Sequence, residues 1–114
     1  MNLKGRHVLA DITTSEDIDD DRFVDLCHRA VEVSGMEVVD FTRHLFKPQG
    51  TTAIWILAES HFALHTFPEA RYYSAECYTC GDSGKPMEAI LALVDSLPVD
   101  NVVIKEIDRG GVNG

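Results

Sequence analysis

The amino-acid sequence predicts an α+β fold, a two-layer sandwich in which a mainly antiparallel sheet carries two helices on one face. Apolar residues recur at three- and four-residue spacing in two segments, as they do along one side of a helix. The remaining β-prone segments are short, and most neighbours are joined by short turns, which favours antiparallel pairing. A chain of 114 residues fits one such domain, residues 1–114.

Eight elements are predicted, in the order β-α-β-β-β-β-α-β. The strands are assigned from β-prone or alternating residues bounded by turn residues, and Pro86 suits the first turn of the second helix. Residues 109–114 are expected to form a loose tail. In chain order, the predicted elements are strand 7–12, helix 20–35, strands 36–46, 51–57, 61–67 and 72–79, helix 86–97 and strand 102–107.

Composition and charge limit the kinds of partner. The formal net charge of −9 argues against a nucleic acid, which proteins bind through clustered Lys and Arg. No apolar run approaches the length of a membrane span, so no membrane partner is expected. The three cysteines are an odd count without a secretory segment, which favours a reducing compartment, the cytoplasm, over a disulfide framework.

The densest polar cluster, residues 59–61 and 65–69, interrupts an apolar stretch, where polar groups are costly unless they have partners. Ser60 and His65 lie five positions apart, so on one regular strand they would face opposite sides. A bend between Leu57 and Ser60 would let the two side chains meet. From the residues alone, the pair is either a nucleophile with its base or a serine with its hydrogen bonds satisfied that lies near a core histidine.

Cys77 and Cys80 have the C-x-x-C spacing of a redox or metal pair. There is no second such pair, and residues three apart on a straight strand point to opposite faces. We therefore predict no metal site.

Several separated motifs resemble those of the prokaryotic S-adenosylmethionine decarboxylase proenzymes, a self-cleaving, pyruvoyl-dependent family. Residues 58–69, AESHFALHTFPE, are similar to the family's self-processing segment. The other motifs in the family's order and spacing are LKGRH at 3–7 with Ala10-Asp11, Phe46-x-Pro48-x-Gly50 and Thr79-Cys80-Gly81. Several motifs in register are a far stronger signal than one tripeptide. The resemblance covers residues 3–81 well and the rest of the chain loosely.

The resemblance implies that the chain makes its own cofactor, a pyruvoyl group derived from Ser60. Ser60 would attack the carbonyl carbon of Glu59, and the ester formed would eliminate the upstream chain. Cleavage would yield residues 1–59 and 60–114. His65 occupies the family position of the base that removes the Ser60 α-proton, and imidazole titrates near neutrality. Cys80 matches the family's proton-donating cysteine.

The resemblance also implies the substrate, S-adenosylmethionine, and a product that supplies aminopropyl groups for spermidine synthesis. The pyruvoyl carbonyl would form a Schiff base with the substrate amine and act as the electron sink for decarboxylation. Phe46 and Phe67 match the two aromatic positions that sandwich the adenine, and Glu69 matches the acid that holds the ribose hydroxyls. The remaining candidate binding residues are Thr52, His7 and Asp11. The family pairs with sites shared between protomers, which implies a homodimer of cleaved two-chain units.

Four positions depart from the family's usual pattern. Phe67 stands in place of tryptophan, and Thr52 stands in place of a serine that assists processing. Ala63 replaces a small hydroxyl or polar residue. Arg71 replaces a glycine and is expected to add a charge near the rim of the pocket. These departures concern the pocket more than the cleavage machinery.

Two alternatives to this function remain open. The first alternative is the same pyruvoyl chemistry on ornithine or arginine, but a free amino acid has no adenine on which Phe46 and Phe67 could stack. The other is a non-catalytic partner of an active paralogue, but such a copy has no need of Ser60, His65 and Cys80 together.

Overall fold

A computed structural model describes residues 2–58, 60–81 and 84–113, with side chains from residue 4 to residue 111 within those ranges. The described residues form six strands and two α-helices, and Pro68–Ala70 forms one turn of 3₁₀ helix. The elements are β1 (Asn2–Thr14), α1 (Asp20–Val33), β2 (Val38–Leu45), β3 (Thr51–Leu57), β4 (Ser60–Phe67), β5 (Tyr72–Cys80), α2 (Lys85–Asp95) and β6 (Val99–Asn113). The predicted order of strands and helices is confirmed.

The six strands form one antiparallel sheet in the order β2-β3-β4-β5-β1-β6. β4 lies in the middle of three hairpin-connected strands, between β3 and β5. Its pairing with β3 runs without a register shift from Leu57 opposite Ser60 to Thr52 opposite His65. This unbroken register fixes the positions of the polar residues along β4.

Both helices pack on one face of the sheet, and the hydrophobic core lies between the two layers. Alternate residues of β3 are buried, which is the pattern of a strand with one covered face. The ring of Phe23 on α1 stacks on Tyr73 of β5 with centroids 4.0 Å apart, and Trp55 meets Phe62 edge to face at 5.5 Å. The predicted two-layer α+β sandwich is confirmed.

The opposite face of the sheet, which we call the open face, carries none of the described helices. Its side chains include Ile54, Ile56, Val103 and Ile107, which are between 36% and 47% exposed. Exposed apolar side chains grouped on one surface are typical of an interaction site. Neither described helix is long and apolar enough to cross a membrane.

The prediction of a loose C-terminal tail was wrong. β6 extends to Asn113 and pairs with β1 as far as Asn2. The register shifts beside Lys4, where Gly111 has a φ of +76° and forms the extra residue of a β-bulge. Glycine accepts this left-handed conformation without a steric penalty. Gly110 and Gly111 therefore continue the strand where the sequence suggests that it ends.

Candidate functional site

Ser60 is the first residue of β4, directly after the reversal from β3. Its neighbours across the sheet are Leu57 on β3 and Thr79 on β5. Its hydroxyl donates a long hydrogen bond of 3.4 Å to the carbonyl of Ala58 within the turn. Glu59, the other residue of the expected cleavage site, lies outside the described residues.

Ser60 and Cys80 line the same cavity, which we call the cleavage cavity, at one end of the sheet. Its volume is about 330 Å³. The lining residues are Gly35, Met36, Glu37, Ala58, Ser60, Thr79, Cys80 and Lys85. Lys85 begins α2, so the partial positive charge of that helix terminus lies at the cavity as well. Two of the three residues predicted to be catalytic, Ser60 and Cys80, therefore line one cavity.

His65 does not reach this cavity within one copy of the chain. Along β4, Phe62, Leu64 and Thr66 are buried toward the helices, whereas His65 belongs to the alternate set on the open face. Ser60 and His65 are five residues apart on one strand, a separation of about 17 Å. The turn between Leu57 and Ser60 reverses the chain before β4 begins, so it does not bring the two side chains together.

A second cavity, the aromatic cavity, gathers five of the predicted residues at the other end of β4. Its volume is about 300 Å³. The lining residues are Phe46, Gln49, Gly50, Thr51, Thr52, His65, Thr66, Phe67 and Glu69. Phe46 is 50% exposed and Phe67 is 43% exposed, so both rings are available to a ligand. Gln49 was missed by the sequence analysis, because its turn carries no signal beyond its glycine and proline.

Local hydrogen bonds fix the residues around the aromatic cavity. Thr52 Oγ1 and His65 Nδ1 share a hydrogen bond of 3.0 Å across the β3–β4 pair. The amide of Phe46 donates to the carbonyl of Gly50 at 2.8 Å, which closes the turn between β2 and β3. Gly50 has a φ of +104°, a conformation that favours glycine. Phe46 is thus held by its backbone, and its ring also meets the His44 ring edge to face with centroids 4.6 Å apart.

Phe67 ends β4 and packs against the strand that follows. Its ring stacks on Tyr72 with centroids 5.3 Å apart. The Tyr72 hydroxyl donates to Asp11 at 2.6 Å, which raises the pKa of Tyr72. Asp11, predicted as a binding residue, is not among the residues that line the aromatic cavity, and it contacts Tyr72, whose ring stacks on Phe67.

Arg71 is not among the residues that line the aromatic cavity. Its guanidinium binds Asp17 at 2.8 Å and the carbonyl of Ser15 at 3.2 Å, and this contact lowers the pKa of Asp17. The expected charge at the pocket rim is instead directed toward the loop between β1 and α1.

A hydrogen-bonded group on the open face contains His7, a predicted binding residue. His7 Nε2 lies 3.0 Å from one carboxylate oxygen of Glu76, and His61 Nε2 lies 3.2 Å from the other. Burial raises the pKa of Glu76, but the two imidazole contacts lower it by more, so the pKa is below its ordinary value. Glu76 and His61 were missed as site residues because their meeting depends on the register of three strands.

The same three side chains offer the one set of metal-ligand atoms found in the described part of the chain, all within 4.8 Å of one another. Hydrogen bonds already account for this arrangement, since an ionised carboxylate accepts from both rings. The two cysteines of the C-x-x-C pair differ in setting. Burial raises the pKa of the Cys77 thiol to about 12, whereas Cys80 is exposed at the cleavage cavity.

Comparisons with known proteins identify relatives of this chain. The family model for S-adenosylmethionine decarboxylase matches residues 6–110. An S-adenosylmethionine decarboxylase proenzyme from Caldanaerobacter subterraneus is 34% identical over 113 residues, which cover 96% of this chain and 91% of that protein. The proenzyme of the same name from Clostridium tetani is 34% identical over 114 residues, covering 96% and 90%.

A solved structure, the adenosylmethionine decarboxylase of Aquifex aeolicus, superposes with a TM-score of 0.86. It is 28% identical, and the match covers 99% of this chain and 96% of that one. The two-layer fold and the two cavities thus occur in a chain that matches a family of decarboxylases. The chain belongs to the S-adenosylmethionine decarboxylase family.

Proposed function

We propose that the chain is a proenzyme that cleaves itself between Glu59 and Ser60 and then decarboxylates S-adenosylmethionine. The observation that carries this proposal is the cleavage cavity, which is lined both by Ser60, at the start of β4, and by Cys80. Family membership supports the same reading, since the curated relatives are named proenzymes. The general function of the family is to make the aminopropyl donor for spermidine synthesis.

Self-cleavage requires two bond exchanges at residue 60, and a third exchange, with water, then makes the cofactor. First, Ser60 Oγ attacks the carbonyl carbon of Glu59, the C–N bond breaks, and the proton of the hydroxyl passes to the freed nitrogen. Removal of the α-proton of residue 60 then breaks the Cβ–Oγ bond and releases residues 1–59 as a carboxylate. Water replaces the remaining nitrogen, which leaves as ammonia, and residue 60 becomes a pyruvoyl group. That group supplies an electron sink for decarboxylation.

The base for the α-proton is proposed to come from a second copy of the chain. Ser60 and His65 lie about 17 Å apart along β4, and this separation excludes contact between their side chains within one copy of the chain. The exposed apolar side chains of the open face supply a surface through which two copies can pair. We infer a homodimer in which each site takes Ser60 and Cys80 from one copy and His65 with the aromatic cavity from the other.

The aromatic cavity favours S-adenosylmethionine over a free amino acid. The faces of Phe46 and Phe67 suit the adenine by stacking and the sulfonium by cation–π attraction. The Glu69 carboxylate accepts hydrogen bonds, as two ribose hydroxyls require. The position of Cys80 at the cleavage cavity supports its proposed role, the return of a proton to the carbon that has lost carbon dioxide. All three thiols are unpaired, which suits a cytoplasmic enzyme.

The test is release of labelled carbon dioxide from carboxyl-labelled S-adenosylmethionine, ornithine and arginine. We expect release from the first alone, and none from Ser60→Ala. Phe67→Leu should raise the KM for S-adenosylmethionine about tenfold through lost stacking and cation–π attraction. Phe41→Leu is the matched control, because Phe41 packs on Trp55 away from the cavity. Release from ornithine or arginine instead would contradict the substrate assignment.

A further inference from the structure

We propose that the Thr79 hydroxyl donates a hydrogen bond to Oγ of residue 60 and so assists the elimination step of self-cleavage. This inference rests on the proposed self-cleavage and assigns it a further residue. Its starting point is Thr79 Oγ1, a buried polar atom without a hydrogen-bond partner in the described residues.

Thr79 is 7% exposed, and its Oγ1 has no hydrogen-bond partner in the part of the chain that the structure describes. A buried hydroxyl without a partner costs free energy, because it has lost its bonds to water. Valine has nearly the same shape and would fill the position without that cost. The Thr79 hydroxyl therefore destabilises the fold of the uncleaved chain. A hydrogen-bond partner that forms during the reaction would explain why a threonine stands at this position.

Thr79 stands directly opposite Ser60 on the neighbouring strand β5. The Cβ atoms of such cross-strand pairs lie about 4.5–5.5 Å apart on the same face of the sheet. Both side chains line the cleavage cavity. Rotation about the Cα–Cβ bonds brings the two hydroxyl oxygens within hydrogen-bond reach of each other.

The elimination step needs a donor at this position. In the ester, Oγ joins Cβ of residue 60 to the carbonyl carbon of residue 59. When the base removes the α-proton, its electron pair forms the Cα–Cβ double bond. The Cβ–Oγ pair leaves on Oγ as part of a carboxylate. A fixed donor aimed at that oxygen stabilises the developing negative charge, and no proton has to be transferred.

The electrostatic setting favours the same step. Lys85, the first residue of α2, lines the cavity that holds Ser60 and Thr79. A helix N-terminus carries partial positive charge, which favours an oxygen that is becoming negative. Thr79 adds to this field a donor placed opposite residue 60 itself.

The test compares Thr79→Val with Thr79→Ser in the full-length chain. Valine removes the hydroxyl and keeps the shape, whereas serine keeps the donor. We expect Thr79→Val to unfold at the same temperature as the wild type or higher, but to cleave about tenfold more slowly or worse. Its uncleaved chain should accumulate the ester, which neutral hydroxylamine splits into fragments 1–59 and 60–114. Thr79→Ser should cleave at nearly the wild-type rate.

Each other outcome is informative. Cleavage of Thr79→Val at the wild-type rate overturns the role of Thr79 while leaving self-cleavage intact. Slow cleavage in the valine variant without a hydroxylamine-sensitive ester, or with an equal defect in Thr79→Ser, also overturns it. A wild-type chain that never cleaves overturns the self-cleavage and the role of Thr79 together.

Discussion

At the scale of single residues, Glu76 links two imidazoles that lie on different strands of the open face. His7 on β1 and His61 on β4 each place Nε2 against one of its oxygens. His61 directly follows Ser60, so this contact helps to fix the start of β4. Glu76 is therefore expected to matter for stability as an ionised group.

Glu76→Gln is expected to lower the free energy of unfolding by about 1 kcal/mol near neutral pH, through loss of a charged acceptor. The folded-state pKa of Glu76 lies below its ordinary value of 4.5, so its stabilising contribution is present above that pH. The contribution is lost as the pH falls through the folded-state value. Urea unfolding of wild type and variant should thus differ near neutrality and converge in acid.

Glu106→Gln is the matched control for this prediction. Glu106 pairs with Arg6 at 3.3 Å on the edge strand, as a partly exposed ion pair of small expected contribution. A Glu76→Gln defect that is no larger than the control, or that persists unchanged in acid, would argue against the network.

Some site residues are readable from the sequence and others are not. Ser60, Cys80 and the two phenylalanines could be found because each lies in a motif of fixed spacing. Glu76 lies in no such motif, and Thr79 lies in one that assigns it no role. Thr79 gains its role from Ser60, the residue opposite it, and Glu76 from two histidines diagonally across the neighbouring strands. Pairing register of this kind is not visible in one sequence. A single sequence also does not show whether a strand bends, so the separation of Ser60 from His65 depends on the regular pairing of β4 with β3.

At the scale of elements, the ends of strands were harder to predict than their existence. Both helices and all six strands were expected, since their periodicities are clear. β1 and β6 proved longer than predicted, because each supplies the other's hydrogen-bonding partners at the chain ends. Gly110 and Gly111 suggest an end to the strand when read alone, but a bulge accommodates glycines with positive φ.

The connection between β4 and β5 allows a test of backbone strain. Arg71 adopts a φ of +50°, which costs side chains with a Cβ but not glycine. Arg71→Ala keeps this strain and loses the contact with Asp17, whereas Arg71→Gly loses the contact and relieves the strain. We expect the glycine variant to be more stable than the alanine variant by about 1 kcal/mol in urea unfolding. The reverse order would contradict the assigned backbone conformation.

At the scale of the whole molecule, we propose that the two cavities are half-sites of a dimer. The cleavage cavity holds Ser60 and Cys80, and the aromatic cavity holds His65 and Glu69 at the other end of β4. Neither cavity alone contains a nucleophile, a base and a binding surface. Pairing of two copies would complete both sites at once.

Complementation between variants tests this arrangement. Ser60→Ala and His65→Ala should each stay uncleaved when expressed alone. When they are expressed together, the mixed dimer contains one complete site, formed by Ser60 of one chain and His65 of the other. Roughly half of the His65→Ala chains should then be cut, since pairing is random, and the Ser60→Ala chains should remain whole. No cleavage in a mixture that contains mixed dimers would contradict the sharing of each site between two chains.

The central claim is that this chain converts its own Ser60 into the cofactor, and the intact mass of the purified protein under denaturing conditions tests it most directly. We expect two masses, those of residues 1–59 and of residues 60–114 with a pyruvoyl group in place of Ser60. A single mass of the uncleaved 114-residue chain that persists after long incubation would contradict the claim.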